Sequence, residues 1–312
     1  MTWVALYPGQ GSQAVGMGAE LRANFPAARL VWEEADEALG QRLSTLVIEG
    51  PPEELTRTEN AQPAILTCSV AAWRVLQSEV GLEPAAFAGH SLGEWSALVA
   101  AGALGLADAV RLVRARGRFM QEAVAPGDGA MAAVMGLDDE VVSAVCAEVE
   151  ATGGTVSPAN LNGGRQVVIA GEAEAVAEAS EALQARGARR VVPLEVSAPF
   201  HCALMAPAAE RLRPLLDDTR FQPPSAPVVS NVEAAPNSDP ERIAGLLVKQ
   251  VTHTVRWAES VEWLRGEGIV RGVECGHGRV LAGLVRRITP ELQVLPCNAP
   301  ADIGSPALRT PE

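Results

Sequence analysis

Five residues, Gly89-His90-Ser91-Leu92-Gly93, form a G-x-S-x-G run. Set between a strand and a helix, such a run makes a sharp turn that lifts the serine hydroxyl clear of a sheet. The flanking glycines relieve the crowding that side chains would cause at that bend. The helix that follows begins with free N–H groups, chiefly that of Leu92, suited to a developing oxyanion. The chemistry this predicts is nucleophilic catalysis by Ser91. Any five-residue pattern also arises by chance, but an apolar segment before it and a long amphipathic one after it argue for function.

A serine nucleophile needs a base, and the chain has four histidines, at 90, 201, 253 and 277. His90 adjoins Ser91, and neighbouring side chains around a tight turn point apart. His277 lies in the turn Cys275-Gly276-His277-Gly278, and His253 in a polar segment before Trp257; both have an ordinary surface reading. His201 follows a predicted strand through Ser197-Ala198-Pro199-Phe200, at the edge where open α/β sheets gather their chemistry. Spacing favours His201 and leaves His253 open.

Arg116 is the second chemical signal. With residues 109–121 as a helix, Ala109, Leu112, Val113, Phe119 and Met120 share a face that contains Arg116, while Arg111, Arg114 and Arg118 lie opposite. A guanidinium directed into apolar surroundings needs an anionic partner, since an unpaired buried charge costs several kcal/mol. The partner is either a structural Asp or Glu or a substrate carboxylate gripped by the planar fork.

The elements that must position these groups alternate along the chain. Trp3–Tyr7 and 84–89 read as strands, 61–80 as a helix stopped by Gly81, and 92–101 as a helix bounded by Gly102. Between 130 and 196 the order is strand 130–137, helix 138–151, strands 155–162 and 165–170 around Asn162-Gly163-Gly164, helix 172–186 and strand 189–196. That β-α-β-β-α-β order is ferredoxin-like. The expected fold is α/β: a hydrolase-like core on a largely parallel sheet, residues 1–127 and 197–312, with a ferredoxin-like subdomain inserted at 128–196.

Composition removes several classes. The 312 residues carry 25 basic and 38 acidic side chains, a formal net charge of −13, which lacks the basic footprint of a nucleic-acid binder. Hydrophobic residues at 48% and charged ones at 20% describe a globular chain. No uncharged apolar run approaches the ~18 residues of a membrane span, and the Met1 start shows no secretory signal. Five widely spaced cysteines without a CxxC pair argue for reduced thiols, a cytoplasmic setting and no metal site.

The motifs together resemble the malonyl-CoA:acyl carrier protein transacylase family. Pro8-Gly9-Gln10-Gly11-Ser12-Gln13, Gly89-His90-Ser91-Leu92-Gly93-Glu94 and Arg116-Gly117-Arg118-Phe119-Met120-Gln121 open the series. Ala130-Met131-Ala132-Ala133-Val134, Asn160-Leu161-Asn162, Gln166–Gly171 and Ser197-Ala198-Pro199-Phe200-His201 continue it. Val228–Val232, Gln250 with Val255-Arg256-Trp257, and Glu274-Cys275-Gly276 complete it, so the likeness spans about 4–298.

The resemblance implies that Ser91 is the nucleophile, His201 its base and Arg116 the residue that binds the malonyl carboxylate. It implies an oxyanion hole from the backbone N–H groups of Gln10 and Leu92, and a main-chain carbonyl of Gln250 that orients the histidine in place of a carboxylate. Phe200 and Met120 are the expected acyl-pocket selectivity residues, with Asn160 and Asn162 as further pocket candidates. Phe200 matches the malonyl-type modular acyltransferases, where its bulk opposes an extra methyl group. His253 and His277 stand where relatives often carry asparagine and proline. The expected partners are malonyl-CoA and the phosphopantetheine arm of acyl carrier protein, with no metal, cofactor, nucleic acid or membrane; a monomer is compatible with the sequence. The expected reaction is ping-pong malonyl transfer for fatty-acid synthesis. The alternatives are a trans-acting acyltransferase of polyketide assembly, a serine thioesterase or hydrolase, and a non-catalytic module that docks carrier protein. Such carriers are acidic, like this chain, so docking needs a local basic patch; Arg186, Arg189, Arg190, Arg286 and Arg287 are its candidates.

Overall fold

The computed structural model describes residues 2–308. Met1 and 309–312, the outer ends of the larger expected domain, lie outside the described residues. The larger sheet is built from β1 (Trp3–Tyr7), β2 (Ala86–Gly89), β7 (Val228–Ser230), β8 (Ala235–Asn237), β9 (Arg271–Cys275) and β10 (Gln293–Cys297), in the order β10-β9-β1-β2-β7-β8. All its neighbours are parallel except the β7–β8 hairpin. β1 is apolar and buried throughout, as a central strand covered on both faces requires. Its alternation sends Trp3, Ala5 and Tyr7 into a core with the helices Thr58–Val80, Leu92–Ala100 and Leu106–Glu122. Val4 and Leu6 pack on the other face, against the helices Trp257–Gly266 and Val280–Ile288.

The second sheet is fully antiparallel. Its strands are β3 (Gly129–Met135), β4 (Val156–Leu161), β5 (Gln166–Glu172) and β6 (Arg190–Pro193), in the order β4-β5-β3-β6. With helices Asp139–Ala151 and Ala173–Ala185 this is the ferredoxin-like arrangement. Ala132, Val134, Val167 and Ile169 meet those two helices in a core of their own. Met131, Ala133, Val168 and Ala170 face the other way and join the main core. The two sheets therefore meet through buried apolar side chains, and a cleft runs along the seam.

Two boundaries differ from the sequence reading in ways that affect the site. β6 ends at Pro193 instead of reaching 196. Leu194 makes one more bond to the Met131 carbonyl, 2.9 Å, and the chain then crosses to the main body, with Pro199 seated against the bare Cα of Gly129. His201 is thus not carried by the carboxyl end of a parallel strand; it sits eight residues beyond an edge strand of the small sheet. The helix expected from 61 begins at Thr58, and Pro63 is accommodated within it. Gly81 ends it in the left-handed region, φ 68°, as expected.

Candidate active site

The turn at 89–93 is built by close approach of three elements. A Cβ on Gly93 would overlap the carbonyl oxygen of Tyr7 at the end of β1, and one on Gly89 would overlap the backbone of Gly93. Only glycine lets β2 turn so tightly into the helix Leu92–Ala100. Ser91 takes the strain, with φ 52° and ψ −107°. Asn231, just past β7, locks the turn: its Oδ1 accepts the Ser91 N–H at 2.7 Å and its Nδ2 donates to the Gly89 carbonyl at 2.7 Å.

Of the four histidines, His201 is the one in contact with the serine hydroxyl. Ser91 Oγ and His201 Nε2 are 2.7 Å apart, and His201 Nδ1 lies 2.8 Å from the main-chain oxygen of Gln250. A carbonyl can only accept, so Nδ1 carries the proton and Nε2 is free to receive one from Ser91. Burial, with the Arg116 charge beside it, pushes the His201 imidazole down to about 3. The ring therefore rests neutral, as a base must. His90 turns away, donating from Nε2 to Asn162 Oδ1 at 2.8 Å beside Trp257. His253 is exposed at the end of the helix Pro240–Thr252, with Nδ1 2.9 Å from the Lys249 carbonyl. His277 lies in the turn after β9.

Arg116 is 2% exposed on the helix Leu106–Glu122, which approaches the start of Thr58–Val80 so closely that a Cβ on Gly117 would strike the Thr58 carbonyl. Its guanidinium donates to Gln62 Oε1 at 2.8 Å, Gln250 Oε1 at 3.0 Å and Ser91 Oγ at 3.3 Å. Nε has no acceptor, and the guanidinium makes no carboxylate salt bridge among the described residues. The structural ion pair weighed above is therefore not formed. Burial lowers the Arg116 guanidinium to about 10, opposed by the negative charge of Glu94, so it is cationic at neutral pH. A buried cation whose partners are two side-chain amides and a hydroxyl has the charge and geometry to accept an anionic group.

These groups open on a cavity of about 530 Å³ whose lining includes Gln10, Ser91, Leu92, Arg116, Met120, Asn160, Phe200 and His201. The amides of Gln10 and Leu92 have no acceptor among the described residues, while the Gln10 side chain donates to Thr58 Oγ1 at 3.2 Å. Asn162 does not line the cavity; it stands behind His90. Three polar groups escaped the sequence reading as site residues. Asn231 and Gln62 bond Ser91 and Arg116, and Glu94 accepts from Gln250. The signal for Glu94 was a lone charge in the otherwise apolar run 92–101; for Gln62, a polar residue within a buried helix face.

A strained serine on an α/β sheet, a neutral imidazole 2.7 Å away and a buried guanidinium define a protein of the serine acyl-transfer class. The chain belongs to the acyl transferase domain family, which matches residues 2–293, and within it to the malonyl CoA-acyl carrier protein transacylases. It is 49% identical over 300 residues to the malonyl CoA-acyl carrier protein transacylase of Salmonella typhimurium, covering 96% of this chain and 97% of that one. Among solved structures it is similar to an acyl-carrier-protein S-malonyltransferase from Bartonella henselae, at 48% identity and TM-score 0.94, with 97% of each chain covered. It is also similar to a malonyl-transacylase in complex with a type II PKS acyl-carrier protein, at 47% identity and TM-score 0.94, covering 97% of this chain and 98% of that one.

Proposed function

We infer that this enzyme moves the malonyl group from malonyl-CoA to the phosphopantetheine thiol of acyl carrier protein, supplying fatty-acid synthesis, by way of a malonyl ester on Ser91. His201 Nε2 takes the Ser91 proton as Oγ attacks the thioester carbonyl, and the charge on that oxygen falls to the N–H groups of Gln10 and Leu92. One such donor is typically worth ~3–4 kcal/mol in the transition state. The tetrahedral adduct collapses, the C–S bond breaks, and His201 returns the proton to the departing thiolate. The carrier thiol then attacks malonyl-Ser91 by the reverse route, giving its proton to His201 and regenerating the hydroxyl.

The observation that carries this reading is Arg116, buried without a carboxylate partner, 3.3 Å from Ser91 Oγ. A general serine hydrolase has no use for a fixed cation at that distance, whereas an acyl group ending in a carboxylate does. Phe200 and Met120, both buried in the cavity wall, limit room around C2 of the acyl group. One methyl is worth only ~1–3 kcal/mol there, so methylmalonyl is disfavoured and not forbidden. Residues 1–127 with 197–312, and 128–196, serve as the two units that hold the acyl chain between them. The five cysteines, all unpaired and buried, support a reducing cytoplasmic setting. No helix among the described residues is long and apolar enough to cross a membrane.

The test is sequential. Brief exposure to malonyl-CoA should leave a malonyl adduct on Ser91 by intact mass and peptide mapping. Adding holo acyl carrier protein should then discharge it with stoichiometric malonyl-carrier. Discharge by water alone would place the protein among hydrolases, and an unmodified Ser91 would leave only a docking module.

A further inference from the structure

Glu94 is 4% exposed in the first turn of the helix Leu92–Ala100, and no step above uses it. A buried carboxylate needs a reason, because its desolvation is costly; here burial lifts it to about 7. It makes no salt bridge among the described residues. Instead its Oε2 collects two donors, Gln250 Nε2 at 2.7 Å and the Asn231 N–H at 3.1 Å. Those two residues hold much of the site. Asn231 secures the Ser91 amide and the Gly89 carbonyl, while the Gln250 side chain donates to the Ser91 carbonyl at 3.0 Å and accepts from Arg116 at 3.0 Å.

The two ends of a glutamine amide have nearly the same shape and opposite polarity. Nothing in Gln250 itself decides which end meets Arg116. With the amide reversed, its NH2 would confront the guanidinium, donor against donor, and its oxygen would confront the Glu94 carboxylate, acceptor against acceptor. An ionised carboxylate only accepts, so ionised Glu94, together with the Ser91 carbonyl, draws the NH2 end and leaves Oε1 to Arg116.

We propose that Glu94 is a positioning residue: by accepting from the Gln250 side-chain amide it strengthens, beside the Ser91 carbonyl, the orientation that turns the amide oxygen to Arg116, and so aims the guanidinium that receives the malonyl carboxylate. This rests on the reading of Arg116 under the proposed function. The Gln250 carbonyl that holds His201 belongs to the helix Pro240–Thr252 and does not depend on the amide's orientation. Loss of Glu94 therefore weakens recognition of malonyl more than the chemistry at Ser91.

The experiment measures KM and kcat for Ser91 acylation by malonyl-CoA and by acetyl-CoA, which has no carboxylate, in the full chain. Glu94→Met fills a similar volume without an acceptor and should raise KM for malonyl-CoA about tenfold more than KM for acetyl-CoA. Glu94→Gln keeps an acceptor oxygen and should restore malonyl-CoA to within about threefold of wild type. Equal losses for both substrates in Glu94→Met, or an unchanged malonyl KM, would overturn the proposal. Should Glu94→Met fail to fold, a tenfold malonyl-specific loss in Glu94→Gln would also overturn it, since the acceptor would then not be what matters. Arg116→Ala is the control. If it leaves malonyl KM unchanged, the reading of Arg116 fails and takes this proposal with it. If Arg116→Ala raises that KM and folded Glu94→Met does not, this proposal alone fails.

Discussion

At the scale of the residue, burial decides what each group can do. His201 is neutral because charging it beside Arg116 and away from water is unfavourable. An ordinary histidine charges near pH 6.5, whereas this one resists protonation until about pH 3. At saturating malonyl-CoA, where the effect of Glu94 on KM does not show, Ser91 loading should therefore hold its rate from about pH 7 to about 5.5; a fall centred near 6.5 would contradict the assigned environment. The same depression links to stability: below about 6.5 the unfolded chain binds a proton that folded His201 refuses, so acid removes stability progressively towards its folded pKa. If His201 is the base, as proposed, replacing it should cost far more than replacing a surface ring. His201→Ala is expected to slow loading by ~10²–10⁴-fold, while exposed His253→Ala should stay within about twofold of wild type, both read in a malonyl-loading assay. Ser91 was legible because G-x-S-x-G is a local pattern, and Arg116 because helical periodicity is local too. The choice between His201 and His253 was not, since it depends on which loop folds over the cleft. Asn231, Gln62 and Glu94 were equally hidden: their roles exist only as contacts with segments far away in sequence, 140, 54 and 156 residues in the bonds at issue.

At the scale of the element, glycines sort into those that permit close approach and those that do not. Gly93→Ala would force a methyl into the Tyr7 carbonyl, so β1 or the serine turn must shift. We expect loss of ~1–3 kcal/mol or more of stability, seen as a lower denaturant midpoint, together with loss of Ser91 loading. Gly245, inside the helix Pro240–Thr252, has nothing near its Cβ position. Gly245→Ala should raise stability by ~0.5–1 kcal/mol through helix propensity and leave loading unchanged. A neutral Gly93→Ala would show that the turn is looser than its geometry. The strands Trp3–Tyr7 and 84–89, and the hairpin around Asn162-Gly163-Gly164, were readable because apolar runs and turn residues mark them directly. The reading extended β6 too far because Leu194 and Val196 look strand-like, while the crossing to the main body is set by Pro199 against Gly129.

At the scale of the whole molecule, two sheets share a seam, and the reactive groups line it. The β-α-β-β-α-β order made the second sheet legible in sequence. Its docking was not, because Met131, Ala133 and Ala170 alternate like any strand face and only contact reveals that they join the main core. Net charge poses a separate question, since a chain at −13 would have to receive the acidic carrier that the family resemblance implies. Arg186 is engaged with Glu148 at 2.7 Å, and Arg287 donates to Gln166 at 2.7 Å. Arg189 and Arg190 are exposed, make no salt bridge among the described residues, and lead along β6 to the cavity-lining segment 194–197. Charge reversal at both should raise KM for carrier protein about tenfold, with the salt dependence of an electrostatic contact, and leave KM for malonyl-CoA unchanged; an unaltered carrier KM would remove that patch. The most direct measurement for the account as a whole is the intact mass of the protein after brief exposure to an equimolar mixture of malonyl-CoA, methylmalonyl-CoA and acetyl-CoA. The wild type should carry malonyl on Ser91 almost exclusively, and Arg116→Ala should carry mainly acetyl. The same malonyl preference in both proteins would contradict the claim that a buried guanidinium selects the acyl group.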